Sequence, residues 1–423
     1  MVNKKLSRSL GPILGIMGFM LGVGVLELPV LADDNVQANY AYSNSTTSAA
    51  VTYKDYGINI NKSATQNGFK VTVEKATATK HKLKVTLKIE SEKSFEKMKR
   101  NNSIFEVTYG KGDSHSHTNS RSEYINDKTM IVTLEKDNYE GEYPENGEMR
   151  VDVVLSNYKV NIGIDIPVDF TESFNNIIEK DISGKIPEFD YTLNKLESDI
   201  MGTRITYSKP KRDENTEDKS DTLFNSAMVL KVGDKMYKTG SNGSYSGEDG
   251  VSIGNYESKL ATYDKVKDEN NISIIPVICN ISVDELDKIY KQDINKEKNI
   301  SKETTNNVSY EKNFNFTDGS KGEIYKIERN DNSIKVYCKG ESEKESLLMV
   351  SNIDMNYQYI KGNKDNVFYD NDNVSFYKDQ KESLGYIVEF DNVEKDKIVE
   401  LSFNTIIKNA DKYKLENEIK LSN

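Results

Sequence analysis

The sequence has few of the residues that usually carry catalysis. Its 423 residues include no Trp, two Cys and three His, namely His81, His115 and His117. Two Cys are too few for a scaffold built on disulfides. Residues 250–254 match the Gly-x-Ser-x-Gly nucleophile pattern, but that motif needs a catalytic His later in the chain, and all three His precede it. We therefore interpret the match as chance.

Two further segments are rich in metal-ligand atoms but lack the rest of a metal site. His115 and His117 stand in a polar, glycine-containing segment without further ligands nearby. Residues 370–373 (Asp-Asn-Asp-Asn) lack the glycine and the distal Glu of an EF-hand loop. No glycine loop of the P-loop or dinucleotide-binding type is present. We predict no catalytic, cofactor-binding or metal-binding residues and no cofactor.

Cys279 and Cys338 leave two possibilities open. Both are flanked by residues typical of strands, and a disulfide is chemically permissible in an exported protein. Sequence alone does not fix the geometry that a disulfide needs. The chain therefore has either one bridge or two buried free thiols.

The chain is acidic, which argues against nucleic acid as a partner. Its formal net charge is −11, and an acidic surface repels phosphate backbones. Apolar residues make up 36% of the chain, and its mean hydropathy is −0.68. This composition is polar for a globular protein but too apolar for disorder throughout.

Residues 1–32 are typical of a leader that engages a membrane. Lys4, Lys5 and Arg8 precede an uncharged run over residues 9–26, which is short of the roughly 20 apolar residues that span a bilayer comfortably. Two interpretations stay open: a signal peptide cleaved after Ala32, or an uncleaved anchor in the membrane through residues 10–31. In both, the basic residues precede the run, so we expect the rest of the chain outside the cytoplasm.

Alternation of apolar and polar residues predicts strands after a flexible linker at 33–55, which is rich in Asn, Ser, Thr and Ala. Phe69, Val71 and Val73 alternate with polar residues, and so do the apolar residues of 83–90. This pattern places one face of each strand on a core. Asn67-Gly68 is a turn signal. About seven such runs lie in residues 56–170, the number typical of a β-sandwich.

The first predicted hairpin recurs later in the chain. Residues 69–87 align without a gap with residues 189–207, which matches Phe69 with Phe189 and Lys75 with Lys195. A third, shorter copy lies at residues 324–337. Such self-similarity predicts modules that open with the same pair of strands.

The predicted fold is mainly β, with tandem immunoglobulin-like β-sandwich modules after an N-terminal apolar helix and one or two short helices in linkers. The first module is 56–170 and the second is 186–295, which ends in a helix that begins with a capping box at Ser282 and Glu285. A polar linker at 296–312 precedes a third module at 313–423, where we predict a strand near residues 346–350.

Several segments resemble a known family. Residues 56–63 and 67–73 are similar to the opening of a domain of unknown function from low-GC Gram-positive bacteria, and residues 164–168 resemble its closing strand. Residues 198–207 and 241–250 resemble the strand pair and the Gly/Ser loop of a companion domain. Many members look like anti-sigma-factor-type membrane proteins with a cytoplasmic segment, one transmembrane helix and an extracytoplasmic β-region.

This resemblance implies an extracytoplasmic role and assigns no catalytic residues. Only about ten residues precede the apolar run, so we expect no cytoplasmic sigma-binding segment. We predict a non-enzymatic cell-envelope protein that binds or senses an envelope or extracellular ligand. The alternative is a secreted or wall-associated adhesin or structural protein, because Tyr-rich strands form flat contact surfaces. An enzyme of an unrecognised type is the third possibility.

Overall fold

The computed structural model describes residues 55–95, 103–110, 118–138, 141–210, 226–246, 251–293, 301–357, 369 and 374–421. The predicted leader, its apolar helix and almost all of the predicted linker at 33–55 lie outside these residues.

The described chain is mainly β, as its alternating pattern predicts, and its strands pair antiparallel except for one parallel contact. The strands are β1 (Ile58–Gln66), β2 (Phe69–Ala78), β3 (Lys82–Ser91), β4 (Ser103–Tyr109), β5 (Asn119–Asn126), β6 (Thr129–Asp137), β7 (Asn146–Leu155), β8 (Val160–Asp169), β9 (Ile178–Ile186), β10 (Tyr191–Asp199), β11 (Gly202–Pro210), β12 (Ala227–Val232), β13 (Lys235–Ser246), β14 (Val251–Ser258), β15 (Ile272–Cys279), β16 (Glu303–Thr305), β17 (Val308–Tyr310), β18 (Asn313–Asn315), β19 (Lys321–Arg329), β20 (Ser333–Gly340), β21 (Ile353–Tyr357), β22 (Val374–Lys378), β23 (Gly385–Asp391), β24 (Val399–Phe403), β25 (Tyr413–Leu415) and β26 (Ile419–Lys420). The helices are α1 (Thr171–Asn175), α2 (Tyr263–Val266), α3 (Val283–Asp293) and α4 (Glu343–Ser351).

Three groups of strands share one arrangement. We call β1–β8 unit 1, β9–β15 unit 2 and β16–β24 unit 3. Each contains five neighbouring strands in the same order, which are β1-β2-β3-β6-β5, β9-β10-β11-β14-β13 and β18-β19-β20-β23-β22. In each unit, one strand follows the third member of the five along the chain and another follows the fourth. These two strands pair with each other: β4 with β7, β12 with β15, and β21 with β24. In unit 2, β12 also pairs with β13. One connectivity is therefore repeated three times.

The hairpin that recurs in the sequence has the same irregularity in every unit. Its ladder shifts between Val73 and Lys75, between Leu193 and Lys195, and between Ile324 and Lys326. Val73 pairs with Leu87, Leu193 with Tyr207, and Ile324 with Cys338, at one constant spacing along the chain. A β-bulge inserts an extra residue and bends the strand. Simple alternation does not produce such a feature, so the three hairpins are equivalent in structure.

Unit 1 has its core between two sheets. Val71 and Val85 of one sheet are fully buried in the same cluster as Val107 and Val151 of the other. The sheet β1-β2-β3-β6-β5 thus packs on the sheet β4-β7-β8 as two layers of a sandwich. Asn67-Gly68 forms the predicted turn between β1 and β2, with φ values of 52° and 79° that suit a tight hairpin.

Units 2 and 3 share the strands β12 and β15, which are buried on both faces. Met228 and Leu230 lie in the core of unit 2, whereas Val229 and Val277 lie in the core of unit 3. Burial on both faces removes the need for alternation, which explains the nearly continuous apolar run of β15. A further contact between β13 and β22 joins the two units in one continuous sheet.

The C-terminal strands return to unit 2. Both β25 and β26 pair with β15, and Leu421 lies in the core of unit 2. Residues 413–421, which the sequence places at the end of the third module, therefore extend the sheet of unit 2. Within the predicted linker at 296–312 the structure has the short strands β16 and β17.

The helices confirm one prediction and correct another. Helix α3 begins at the predicted capping box, where the Glu285 amide donates to Ser282 Oγ at 3.3 Å and the Ser282 amide donates to Glu285 Oε2 at 3.0 Å. The strand predicted near residues 346–350 is wrong, because these residues lie in α4. Its run Ser346–Ser351 is buried on all sides, and such a run does not distinguish a helix from a strand. Ser342, which caps α4, and Glu345 repeat the capping-box pattern that marks a helix start.

Replacing Leu421 by Ala should destabilise unit 2, although Leu421 follows unit 3 in the sequence. Leu421 is 4% exposed, and truncating a buried Leu costs about 2–5 kcal/mol. Hydrogen exchange of the full-length chain should become faster in β10 and β15. Ile398→Ala, at a position that is 40% exposed, is the control and should change stability by less than about 0.5 kcal/mol. Unchanged exchange in β15 would contradict the place given to the C-terminal strands.

Candidate functional site

A cluster of charged side chains lies where unit 1 meets unit 2. Unit 1 contributes the turn between β2 and β3, and unit 2 contributes neighbouring positions on β9, β10, β11 and β14. We call this set the junction cluster; its members are Lys80, His81, Lys82, Glu179, Lys195, Glu197, Asp199, Arg204 and Glu257.

Backbone hydrogen bonds hold the turn of unit 1 that enters this junction. The Thr79 amide donates to the Lys82 carbonyl at 2.8 Å, which closes the turn. The Asn138 and Tyr143 amides donate to the carbonyls of His81 and Lys80 at 2.8 and 2.7 Å. The side chains of Lys80, His81 and Lys82 therefore start from a fixed backbone.

The Lys82–Glu257 ion pair is the most enclosed contact across the junction. Lys82 Nζ lies 2.8 Å from Glu257 Oε2, with side chains 14% and 9% exposed, and Arg204 Nε lies 3.7 Å from Glu257 Oε1. Burial by itself lowers the pKa of Lys82, but the attraction of Glu257, Asp137 and Asp199 outweighs burial and raises that pKa. Lys82 is thus held in its charged form.

Asp199 is a partly buried acid of the junction cluster. Burial raises the pKa of its carboxyl, and the nearby Lys82 charge offsets only part of that effect. The Met201 amide donates to Asp199 Oδ1 at 2.7 Å. Because folding raises this pKa, Asp199 stabilises the folded chain at low pH and loses that effect as the pH rises through its folded-state pKa.

A second chain of ion pairs crosses the same junction. Glu197, which is 6% exposed, has Lys195 Nζ at 3.0 Å and His81 Nε2 at 3.5 Å from its Oε1 atom. Lys195 Nζ also lies 2.7 Å from Glu179 Oε1, which Lys80 Nζ approaches to 2.9 Å. Burial by itself raises the pKa of Glu197, but the hydrogen bonds from His81 and Lys195 have the larger combined effect and lower that pKa to about 2.

A tyrosine hydroxyl forms a second contact between unit 1 and unit 2. The Tyr56 hydroxyl, just before β1, donates to the carboxylate of Asp264 in α2 at 3.2 Å, and Lys267 Nζ lies 2.9 Å from the same carboxylate. Tyr56 is 8% exposed, so this hydrogen bond is largely shielded from water. Unit 1 is therefore tied to unit 2 at two separate places.

A smaller charged contact lies where unit 2 meets unit 3. Lys235 Nζ on β13 and Lys335 Nζ on β20 lie 2.9 and 3.1 Å from the two carboxylate oxygens of Glu389 on β23. Lys235 Nζ also lies 3.9 Å from the centre of the Tyr377 ring, a cation–π contact. Burial opposes ionisation of Glu389, but the two lysines prevail and lower its pKa.

These arrangements orient the units and pair most of their charges with one another, although the buried Nε of Arg204 has no hydrogen-bond partner. A buried ion pair contributes little net stability over apolar side chains of equal size, but removing one partner is costly because the other charge stays buried. The junction cluster therefore acts as a geometric constraint. Any displacement of unit 1 would leave Glu257, Asp199 or Lys82 without its partner of opposite charge.

The residues singled out from the sequence fall in different places. His81 lies in the junction cluster, whereas His115, His117 and residues 370–373 lie outside the described residues. Ser252 lies inside β14 between β11 and β13, and not on a strand-to-helix turn. Within the described ranges no three or more His, Cys, Asp or Glu side chains are grouped so as to hold a metal ion. None of the helices there has both the length and the apolar character to cross a bilayer.

The two cysteines are separate buried thiols. Cys279 ends β15 and Cys338 lies in β20, and neither forms a disulfide. Burial raises the pKa of both thiols, that of Cys338 to about 12. Of the two possibilities left open by the sequence, the structure has the free thiols.

No pattern in the sequence singles out the junction cluster. Lys82, Glu197 and Glu257 stand in strands among other charged and polar residues, like ordinary surface charges. Their burial depends on a second unit that covers them. The turn sequence Lys80-His81-Lys82, with three basic residues at a hairpin end of an acidic chain, is the one local signal that could have indicated an acidic partner surface.

Comparison with known proteins adds little to this description. No family model matches the chain, and the search of curated proteins gave no match. Among solved structures the chain is similar to the crystal structure of a conserved domain protein from Bacillus anthracis, with a TM-score of 0.38 and 15% sequence identity, over 54% of this chain and 80% of that chain. A likeness at that level identifies neither a fold nor a function.

Replacing Lys82 by Met should loosen the junction between units 1 and 2. Met keeps the length of the side chain but leaves Glu257 and Asp199 buried without their main cation, which costs about 3–5 kcal/mol. Hydrogen exchange in β3 and β11 of the full-length chain reports this loss, and Lys82→Met/Glu257→Leu should recover part of it. In the control Lys84→Met, an ion pair with both side chains 47% exposed is lost, and the expected effect is below about 1 kcal/mol. Equal effects of the two single changes would show that the junction charge is not a constraint.

The low pKa of Glu197 predicts loss of stability in acid. Folding lowers this pKa from 4.5 to about 2, so the ionised carboxylate stabilises the folded chain above pH 4.5 and loses this effect as the pH falls toward 2. Glu197→Gln should lower the free energy of unfolding by up to about 3 kcal/mol at pH 6. The difference from the unaltered chain should shrink between pH 4.5 and pH 2, as urea titrations at each pH would show. A difference that does not change with pH would contradict this, and Glu135→Gln, at an exposed pair, is the matched control.

Proposed function

We propose that this chain is a non-catalytic extracytoplasmic protein of the cell envelope, whose tandem β-sandwich modules bind or sense a ligand outside the membrane. Unit 1 resembles an immunoglobulin domain only in that two facing sheets enclose a core. The strand order differs, because units 1 to 3 keep three consecutive strands in one sheet, whereas an immunoglobulin constant domain places the third strand in the other sheet.

One observation carries the proposal: the grouped ionisable side chains serve to join modules. Lys80 and Lys82 of unit 1 lie within ion-pair distance of Glu179 and Glu257 of unit 2, and Lys195 extends the first of these pairs within unit 2. Lys235, Lys335 and Glu389 do the same between units 2 and 3. A chain that uses such groups to fix orientation is suited to presenting surfaces, and function resides in sites carried on the modules.

The leader and the thiols support an extracytoplasmic location. The basic start and the apolar run of residues 1–32 direct the chain to a membrane. Cys279 and Cys338 are buried with raised pKa values, and thiols in that state react slowly with oxidants. The chain is therefore suited to oxidising surroundings without a disulfide.

Protease added to intact producing cells should degrade this chain and leave a cytoplasmic marker protein whole. Fractionation then separates the two forms of the proposal. Retention in the membrane with an intact Met1 indicates an anchored sensor or binder, and release to the medium or wall with a new N-terminus at Asp33 indicates the secreted adhesin or structural protein. Full protection from the protease, or hydrolysis of glycan, peptide or ester substrates by the purified chain at enzyme-like rates, would contradict the proposal.

A further inference from the structure

Strand β5 lies at the edge of the first sheet of unit 1. Among the described strands only β6 pairs with it, over the length of the strand. Seven of its eight residues are exposed. The outer side of an edge strand presents N–H and C=O groups that another strand can bind.

The corresponding strands of units 2 and 3 contact each other at one residue pair. In the shared strand order, β5 corresponds to β13 in unit 2 and to β22 in unit 3. These two strands pair with each other antiparallel, with Met236 opposite Phe376. Met236 lies in the part of β13 that pairs with β12, whereas residues 240–246 of β13 pair with β14 as β5 pairs with β6. The contact therefore joins the corresponding strands of two units, but at a segment outside the one that matches β5.

Exposed apolar side chains gather on the same side of unit 1. The large hydrophobic residues that are most exposed in the described chain are Ile104 (59%), Ile125 (45%), Tyr124 (44%) and Ile398 (40%). Three of these four lie on β4 and β5, the edge strands of the two sheets of unit 1. Proteins usually protect edge strands with charged side chains, especially Lys, with Pro or by keeping the strand short. Strand β5 has eight residues and neither Lys nor Pro, and its charged residues are Arg121 and Glu123, one of each sign.

The charges of β5 are complementary to those of a second β5 strand in antiparallel orientation. Arg121 and Glu123 lie two residues apart, so their side chains share one face of the strand. They pair with Thr133 and Ile131 of β6, so they stand on the sheet face opposite to the buried Val132. If Ser122 lies opposite Ser122 of a second strand, each Arg121 lies opposite a Glu123. Opposite charges at such cross-strand positions stabilise the pair.

We propose that two copies of this chain associate through their β5 strands, which pair antiparallel about a two-fold axis at Ser122. The pairing joins the five-stranded sheets of two copies of unit 1 into one ten-stranded sheet and makes the contact isologous. It places two Arg121–Glu123 pairs across the axis. A lone edge contact of this size is smaller than a standard interface, so the exposed Ile104, Tyr124 and Ile125 would add apolar area beside it.

Charge exchange on the full-length chain tests the contact. Sedimentation velocity should show a concentration-dependent monomer–dimer equilibrium. Arg121→Glu brings like charges opposite each other twice per dimer and should raise the dissociation constant by about tenfold or more. The double exchange Arg121→Glu/Glu123→Arg should restore it. A monomer at all concentrations would overturn the proposal. A dimer whose dissociation constant is unchanged by both substitutions would also overturn it, and would indicate association through another segment.

Cysteine cross-linking tests the position of the axis. Ser122→Cys should form an intermolecular disulfide under mild oxidation, because residues on the axis face each other at the distance that a disulfide needs. Ser120→Cys, on the same face of the same strand, is the matched control and should cross-link at least about tenfold more slowly. In the proposed pairing, residue 120 lies opposite residue 124 of the second chain, so the two Cys at position 120 are four residues out of register. The native thiols are buried and do not compete. Cross-linking at residue 120 and not at 122, or at neither, would refute the pairing.

Discussion

The burial of Lys82 against Glu257 is the contact on which the placement of unit 1 depends. The side chains of Lys82 and Glu257 are 14% and 9% exposed, so both have lost most of their hydration. Each charge is stable in this position only because the opposite charge lies beside it. Arg204 and Asp199 extend the same requirement to β11 and β10. The turn at residues 79–82 is fixed by backbone hydrogen bonds and connects β2 to β3. The position of Lys82 at the junction therefore also fixes the position of these two long strands.

Units 2 and 3 are joined by a different kind of interaction. Strands β12 and β15 are covered by one core on each face, and the C-terminal strands β25 and β26 return to pair with β15. Unit 3 is therefore inserted between two parts of unit 2 in the sequence. Because both cores need the same strand pair, loss of either core exposes apolar residues of the other. We infer that these two units unfold together, whereas the junction with unit 1 is governed by charge.

The parts that follow from local pattern could be predicted from the sequence, and the parts that depend on a second layer could not. Alternation in β2 and β3, the turn at Asn67-Gly68 and the capping box of α3 were all predictable, because each depends on neighbouring residues. Helix α4 was predicted wrongly because burial on every side removes the periodicity that separates a helix from a strand, although the capping-box pattern at Ser342 and Glu345 marks its start. No local sequence pattern distinguishes Lys82, Glu197 and Glu257 from surface residues, because only the packing of one unit on another buries them. The self-similarity of the hairpins was visible, but the shared bulge after Val73, Leu193 and Ile324 was not.

One β arrangement is repeated three times in the described chain, and the contacts between the units hold it in a fixed geometry. Spin labels at two exposed positions, Lys70→Cys in unit 1 and Lys321→Cys in unit 3, allow the distance between the units to be measured by double electron–electron resonance on the full-length chain. We expect one narrow distance distribution, which broadens when Lys82 is replaced by Met. A broad distribution in the chain with Lys82 intact would mean that unit 1 moves freely, and it would contradict the account.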